Sequence, residues 1–426
     1  MRYCGSIVLL FAIGVTSAQA QHQHMMSADT VMPPMERMGS GTTWIPDAVV
    51  IPSVYGAFKG WNLMAHGILF GYYDRQDGPR GADQFGSLNW AMLMATHDLA
   101  GGRIQFRTML SLDPATVQDG GYPLLLQTGE TYRGQALRDR QHPHDFWMEL
   151  GALYEQAVTA DLGLFLYAAP SGEPALGPVA FMHRPSAFDD PAAPLGHHWQ
   201  DATHITFGVV TAGVFGRRWK AEISAFNGRE PDEERWGFDR VRLNSYSGRV
   251  TVSPHSRLNM TLGYGKLEDP EILHPGEDVQ RVAASLLYGD RIGDVGQASV
   301  AAIWGANRHA GSDRITHSAL VELGLTADTH NTVTVRTEFV QKSGEELAIS
   351  TAPDATFDVA AVSVGYIREF LQQLGTTTGI GIRGTLNWLP SALEPHYGSR
   401  TPVGLFVFLR LRPTLKPAMQ SGMKMQ

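Results

Sequence analysis

Apolar and polar residues alternate one by one along most of this chain, and this period constrains the fold more than any other feature. In TVTVRTEFV (332–340), two valines and Phe339 share one face, while Thr334, Arg336 and Glu338 share the other. The same alternation recurs in RIQFRTML (103–110), RLNMTLGY (257–264) and IGIRGTLNW (380–388). A period of two is typical of β-strands with one apolar and one polar face. The glycines of GIGIRG (379–384) lie inside such a strand, so they do not indicate a dinucleotide site.

The links between the alternating segments differ in length in a regular way. About 16 segments occur between residues 61 and 412, and tight links such as LAGG, VTAD, SPHS and ADTH separate some of them. Long links at 113–143, 169–202, 228–242, 266–277 and 341–355 lie between the tight ones. Short periplasmic turns that alternate with long external loops are typical of outer-membrane barrels, whereas a soluble sandwich has no reason to collect its long loops at one end.

The sequence therefore predicts an all-β protein, a transmembrane antiparallel β-barrel of about 16 strands (14–18). No apolar run of 18 residues or more follows the first 20 residues, so helical membrane spans are not expected. Aromatic residues near segment ends, among them Trp90, Tyr167, Trp219 and Tyr264, suit the interfacial girdles of such a barrel.

The ends of the chain differ from its middle. Residues 1–20, MRYCGSIVLLFAIGVTSAQA, have one basic residue, an apolar run and a final Ala-Gln-Ala, as in a secretory signal peptide. The only cysteine, Cys4, lies in this segment, so the mature chain has no thiolate site. We expect residues 21–59 to form a periplasmic Met/His-rich segment, 60–412 the barrel and 413–426 a Met-rich periplasmic tail. The net charge of −8 argues against a nucleic-acid partner.

Charged residues on the polar strand faces should point into the barrel. They can act as an electrostatic screen along a pore, or they can pair across neighbouring strands and fill the interior. The sequence favours neither reading. The residues predicted to line the pore are Arg103, Arg107, Glu149, Lys220, Glu222, Arg249, Arg281, Glu322, Arg336, Glu338 and Arg383.

Two external segments, RDRQHPHDFWMELGALY (138–154) and residues 172–208, are rich in histidine and carboxylates. Imidazole and carboxylate together bind divalent transition metals or perform acid–base chemistry, and they also serve as ordinary hydrogen-bonding groups of a folded loop. Ser186 and Thr203 are nearby nucleophile candidates that no motif marks. The candidate ligands of this second metal site are His142, His144, His183, His197, His198 and His204.

These segments also carry a resemblance. RQHPHDFWMEL, GEPALGPVAFMHRPS, GHHWQDATHITFGVVTAG, NGREPDEERWGFD and SYSGRVTVSP resemble an uncharacterised family of Gram-negative, porin-like outer-membrane barrel proteins that are often found beside copper and heavy-metal resistance genes. The resemblance covers nearly all of the chain from about residue 40. It implies an outer-membrane location, a barrel fold and a metal context. The family has no established activity, so no catalytic residue is carried over.

Methionine is concentrated at both ends of the mature chain, and two histidines accompany it at the N-terminal end. Thioether sulfur is a soft ligand that suits Cu(I), and imidazole suits Cu(II), Zn and Ni. Because a barrel with an even number of strands places both ends in the periplasm, the two groups can meet there. The residues predicted to bind this metal are His22, His24, Met25, Met26, Met32, Met35, Met38, Met419, Met423 and Met425.

The function predicted from these observations is a channel or an accessory factor in copper or soft-metal homeostasis. Two alternatives remain open: an outer-membrane hydrolase that acts at the external loops, and a surface protein whose loops bind a partner. The only cofactor expected is copper. The expected partners are outer-membrane lipids, the barrel-assembly machinery and periplasmic metal-handling proteins.

Overall fold

The computed structural model describes residues 31–311 and 313–415. The signal peptide predicted for 1–20 therefore lies outside the described residues, as do seven of the predicted terminal metal ligands. These are His22, His24, Met25, Met26, Met419, Met423 and Met425.

The described residues form nineteen strands and a few short helical turns. The strands are β1 (Ser53–Phe58), β2 (Trp61–Gln76), β3 (Asp83–Leu99), β4 (Gly102–Leu110), β5 (Tyr122–Tyr132), β6 (Gln135–Gln141), β7 (Trp147–Ala157), β8 (Gly163–Gly172), β9 (Thr206–Phe215), β10 (Trp219–Phe226), β11 (Ser245–His255), β12 (Leu258–Leu267), β13 (Val279–Ile292), β14 (Gly296–His309), β15 (Ile315–Thr326), β16 (Asn331–Ser343), β17 (Thr356–Gln373), β18 (Thr376–Trp388) and β19 (Val403–Pro413). The α-helical turns are Asp113–Thr116, His197–Gln200 and Glu394–Tyr397, and the 3₁₀ turns are Met35–Arg37, Phe181–His183, Ala202–His204 and Ser391–Leu393.

Sixteen of these strands close into one antiparallel barrel. Each pairs with its neighbours along the chain, β4 pairs with β7, and β19 pairs with β2 to close the ring. The closing pair uses Leu69–Gln76 of β2, and β1 pairs with the remaining part of the same edge, from Trp61 to His66. Closure leaves no free edge in this ring, so the backbone groups of the wall bond to one another. The prediction of about 16 antiparallel strands is confirmed.

The barrel wall is apolar outside and polar inside. On β11, Val250 and Val252 are exposed, whereas Arg249 and Thr251 are buried. A soluble protein has the opposite arrangement, and only a hydrocarbon surround makes an apolar exterior favourable. The protein is therefore located in the outer membrane of a Gram-negative bacterium. Among the described residues, no helix is long and apolar enough to cross a membrane.

The two ends of the barrel differ in the length of their connections. At one end, the turns between consecutive strands are short, such as 100–101, 256–257 and 374–375. The other end has long loops at 111–146, 173–205, 227–244, 268–278, 344–355 and 389–402, together with short connections at 77–82 and 310–314. The predicted asymmetry is confirmed, and by the usual orientation the short turns face the periplasm.

The lumen contains part of the N-terminal segment. Residues 31–52, here called the N-terminal plug, contact side chains of the inner wall. Arg107 of β4 donates hydrogen bonds to the carbonyl oxygens of Gly41 and Gly39 at 2.5 and 2.9 Å. Gln297 of β14 exchanges hydrogen bonds with the backbone of Val50. The sequence predicted a periplasmic location for all of residues 21–59. The structure instead places residues 31–52 inside the barrel. They lie inside because the buried wall arginines need acceptors that the plug's backbone supplies.

The external loops fill the other half of the lumen. The hairpin β5–β6 forms a separate two-stranded sheet within loop 111–146, and nearly every residue of loop 173–205 is buried. Together these two loops form the external plug. Of the aromatic residues expected in girdles, Trp219 and Tyr264 are exposed as predicted, but Trp90 and Tyr167 point into the lumen and are buried.

Candidate metal centre

Five histidines meet inside the external plug. His142 and His144 follow β6 and flank Pro143, and His197, His198 and His204 belong to the two helical turns at the end of loop 173–205. The His197 ring lies 5.0 Å from that of His204 and 5.3 Å from that of His198, and the His144 ring lies 5.7 Å from that of His204. These five residues are called the histidine cluster. Two segments that are far apart in the sequence therefore build one site.

Three members of the cluster approach metal-binding geometry. One ring nitrogen from each of His142, His197 and His198 lies within 4.8 Å of those of the other two. Nitrogens that share one tetrahedral ion at roughly 2.0–2.1 Å stand roughly 3.3 Å apart. Side-chain movements of about 1–1.5 Å would therefore close the three rings on one ion.

Carboxylate groups lie within hydrogen-bonding or ion-pairing distance of three of these histidines. Asp201 accepts a hydrogen bond from Nδ1 of His197 at 2.7 Å, and Asp113 lies 2.8 Å from Nδ1 of His144. Glu130 Oε1 stands 3.1 Å from Nε2 of His142, without the geometry of a hydrogen bond. Such partners fix the orientation of a ligating imidazole and increase its basicity.

Several ring nitrogens in the cluster are buried without a hydrogen-bond partner. They are Nε2 of His142, His198 and His204. A buried polar atom without a partner costs free energy, and in native structures it needs an explanation. A bound cation would satisfy the nitrogens of His142 and His198 at once.

Burial keeps these imidazoles in the form that binds metal. Burial, followed by the charges of Arg235 and His197, holds the pKa of His142 well below its usual value. Burial and neighbouring His197 do the same to the pKa of His198, and they lower the pKa of His204 to about 3. Burial alone would raise the pKa of Asp201, but His197 and Arg184 reverse the effect and lower it. The three histidines are therefore neutral and Asp201 is ionised at neutral pH.

Sequence reasoning missed four residues that support the cluster. Arg235, in loop 227–244, forms ion pairs with Glu130 and with Asp145, the latter at 3.1 Å. Glu230 from the same loop lies 3.6 Å from Nδ1 of His198. Both residues belong to NGREPDEERWGFD, a stretch that contributes to the family resemblance but was not predicted to support a site. Asp113 and Glu130 carried no signal, because neither lies near a histidine in the sequence.

His183 belongs to a different place in the lumen. Its Nε2 lies 3.2 Å from Nε2 of His66 on β2, and its ring centroid lies 4.6 Å from that of Trp90, with the two rings tilted by 54°. The structure thus brings together five of the six histidines proposed for the second site. The nucleophile candidates have structural contacts: Ser186 donates to Glu322 at 2.7 Å, and the carbonyl of Thr203 accepts from Thr206.

The eleven residues predicted to line a pore are held by partners inside the lumen. Arg107 contacts Glu149 at 2.9 Å, and Arg336 contacts Glu322 at 3.0 Å. The remaining contacts include Arg103–Glu155, Lys220–Glu222, Arg249–Glu222, Arg383–Asp190, Arg281–Asn307 and Glu338–Leu195. Arg107, Arg249, Arg336 and Arg383 are at most 2% exposed. A water-filled channel would leave such side chains accessible, so this part of the lumen is filled.

Three of the terminal methionines fall within the described residues. Met38 is buried in the N-terminal plug, and Met32 and Met35 are partly buried against the same core. Neighbouring residues of the plug contact the wall near short turns: Arg103 donates to the carbonyl oxygen of Pro33, and Arg37 donates to that of Arg217.

No protein-family model matches the chain. No curated protein matches it either. Among solved structures, the anion-selective porin from Comamonas acidovorans is 12% identical, with a TM-score of 0.48, over 83% of this chain and 99% of that one. Salmonella typhi OmpF in complex with daunomycin is 9% identical, with a TM-score of 0.48, over 84% of this chain and 100% of that one. The outer-membrane channel DcaP of Acinetobacter baumannii is 9% identical, with a TM-score of 0.44, over 83% and 98%.

Proposed function

We propose that this porin-like outer-membrane barrel handles a divalent transition metal, copper foremost, at His142, His197 and His198. The observation that carries the proposal is the convergence of three ring nitrogens within 4.8 Å, with two of the imidazoles holding a buried nitrogen that has no hydrogen-bond partner. Imidazole nitrogen is a good ligand for Cu(II), Zn and Ni. The surrounding carboxylates offset the charge of the ion and orient the rings.

A filled lumen favours an accessory role over that of a permanently open channel. The N-terminal plug and the external plug occupy the barrel between them, and the inner-wall arginines bond to both. Arg336, for example, donates to the carbonyl oxygen of Ala192 at 2.8 Å. An ion bound in the external plug would reach the periplasm only if these contacts rearranged.

The terminal methionines extend this proposal to the periplasm. The stretch from His22 to Met38 carries soft donors that could pass copper to periplasmic metal-handling proteins, which remain the predicted partners. The outer-membrane lipids and the assembly machinery remain the predicted partners of the barrel itself.

Calorimetric titration of the full chain in detergent with Cu(II) tests the proposal. The variant His142→Ala/His198→Ala should lose one equivalent of bound Cu(II) relative to the unchanged protein, because two of the three ligands are gone. The matched control is His274→Ala, a histidine of external loop 268–278 that lies outside the cluster. It should bind as the unchanged protein does. Equal stoichiometry and affinity in all three proteins would contradict the proposal.

A further inference from the structure

A second group of metal-binding side chains lies on the inner wall of β2, β3 and β4, apart from the histidine cluster. In the strand register, His66 of β2 lies opposite Met92 of β3, and Met92 lies opposite Met109 of β4. All three side chains point into the lumen and are at most 5% exposed. Directly opposed side chains stand roughly 4.5–5.5 Å apart at Cβ. One imidazole and two thioethers therefore form a row across three strands.

The external plug adds a fourth donor to this row. His183, in the turn Phe181–His183, brings its Nε2 to 3.2 Å from Nε2 of His66. This separation suits a hydrogen bond, and it also matches the roughly 3.3 Å edge between two nitrogens of one tetrahedral ion. If Nε2 of each ring binds the ion, each neutral imidazole carries its proton on Nδ1, which is buried in both rings without a hydrogen-bond partner.

The chemistry of these donors selects the ion. Two imidazole nitrogens and two thioether sulfurs make a neutral, soft ligand set, which suits Cu(I) better than Zn or a hard divalent ion. Beside the two imidazoles the surroundings are aromatic, since the Trp90 ring lies 5.5 Å from that of His66 and 4.6 Å from that of His183. Burying an ion with one charge costs less free energy than burying an ion with two. On the side of Met109, Glu149 lies opposite this methionine and balances the charge of Arg107 at 2.9 Å.

A cavity of about 30 Å³, enough for one water molecule, borders both this site and the histidine cluster. It is lined by His142 and His144 of the cluster and by Trp90, Phe181 and Met182 beside His183. On the periplasmic side, Met64 of β2 lies opposite Met94 of β3, two residues further along the same strands. Both of these methionines are buried.

We infer that His66, His183, Met92 and Met109 form a buried binding site for a soft monovalent cation, Cu(I), on the inner wall of the barrel. The site is independent of the histidine cluster in its residues and in the oxidation state of the ion. Binding involves no change of oxidation state, since the ion enters as Cu(I).

The test is an anaerobic titration of the full chain in detergent with Cu(I) against a chromogenic chelator. The variant Met92→Leu/Met109→Leu keeps size and apolarity but removes both sulfurs. We expect it to bind one Cu(I) fewer than the unchanged protein, whereas the terminal methionines bind Cu(I) equally in both. The matched control is Met260→Leu, a methionine on the lipid-facing side of β12, and it should bind as the unchanged protein does.

The same samples separate this inference from the proposed function. The variant His142→Ala/His198→Ala should keep its full Cu(I) stoichiometry, and Met92→Leu/Met109→Leu should keep its Cu(II) equivalent. Full Cu(I) stoichiometry with unchanged affinity in Met92→Leu/Met109→Leu would overturn the inference and leave the histidine cluster untouched. If that double variant fails to fold, Met92→Leu alone decides the question: it should weaken Cu(I) binding at least about tenfold, and an unchanged affinity overturns the inference.

Discussion

At the scale of single residues, the position of each side chain relative to the barrel wall determines its environment. A residue that points outward meets lipid, and its neighbour along the strand meets a packed polar interior. Arg249 is 2% exposed and contacts Glu222 at 3.0 Å, whereas adjacent Val250 is 49% exposed. Removing one partner of a buried ion pair leaves an uncompensated charge, so the inner wall tolerates little change.

The lipid-facing surface gives a direct test of this arrangement. Val364 of β17 is 54% exposed and lies near the middle of the strand, so Val364→Arg should place a charge in hydrocarbon. We expect a loss of about 2–4 kcal/mol in the free energy of unfolding from lipid bilayers. Leu374, in the periplasmic turn after β17, is fully exposed, and Leu374→Arg should change the free energy of unfolding by less than about 0.5 kcal/mol. Similar losses at the two positions would mean that β17 is not a membrane strand.

The pH dependence of metal binding reports the burial of the histidine cluster. Burial holds the pKa of His142 and of His198 well below the usual value, so protons do not compete with metal until the pH falls far below 6.5. Between about pH 7 and pH 5.5, the contribution of His142 and His198 to the affinity for Cu(II) should therefore change little. A peptide covering residues 21–38, whose His22 and His24 titrate near 6.5, should lose most of its imidazole-dependent affinity over the same range. A parallel loss in the barrel would show that the cluster histidines are solvated.

At the scale of elements, the strands were predictable and the contents of the lumen were not. The alternating stretches RIQFRTML (103–110) and IGIRGTLNW (380–388) lie within β4 and β18, because the alternation of lipid-facing and lumen-facing residues is local information. β1 and the hairpin β5–β6 were missed. The β5 segment YPLLLQTGETY does not alternate, since both faces of the hairpin are buried by the plug.

The candidate site was predictable only in part, for a related reason. The histidines stand out as residue types in two Pro-rich loops, but their grouping depends on how those loops fold against each other. His183 lies 14 residues before His197, yet it faces His66 on the wall instead of joining the cluster. His66 lies in an apolar stretch of the inner face of β2, with Met64 and Ile68 on either side. A single histidine in such a stretch more often packs than binds metal, so no sequence signal distinguishes it.

The N-terminal plug is the element whose removal should change transport most. Deleting residues 33–46 removes the carbonyl acceptors of Arg107 and the contacts of Lys220, and it should leave a gap at the periplasmic half of the lumen. We expect single-channel conductance in planar bilayers to rise above that of the unchanged protein. Shortening external loop 268–278, which lies outside the plugs, should leave the conductance unchanged. If the deletion conducts no more than the full chain, the plug does not limit permeation.

The orientation of the loops can be examined on intact cells. Gly276 in loop 268–278 and Gly101 in the turn between β3 and β4 both have positive φ and open space around Cβ, so both sites should accept a short inserted tag. The tag at Gly276 should be labelled from outside the cell and the tag at Gly101 should not. The reverse pattern would invert the assigned topology.

At the scale of the whole molecule, the barrel has a lumen that its own plugs fill, so the structure is not that of an open pore. The wall provides a closed surface that suits the membrane, the N-terminal plug enters from the periplasmic side, and the external loops pack inward from the other. The histidine cluster and the His66–His183 pair border one small cavity in this interior. If a metal ion binds there as proposed, its release requires a plug to move.

Diffraction from crystals grown with Cu(II), measured on both sides of the copper absorption edge, tests the central claim most directly. We expect an anomalous difference peak at one position about 2.0–2.1 Å from a ring nitrogen of His142, His197 and His198. Occupied density there would establish that the external plug of this barrel is a metal site. An empty cluster, with anomalous density confined to the termini or the outer surface, would contradict the claim.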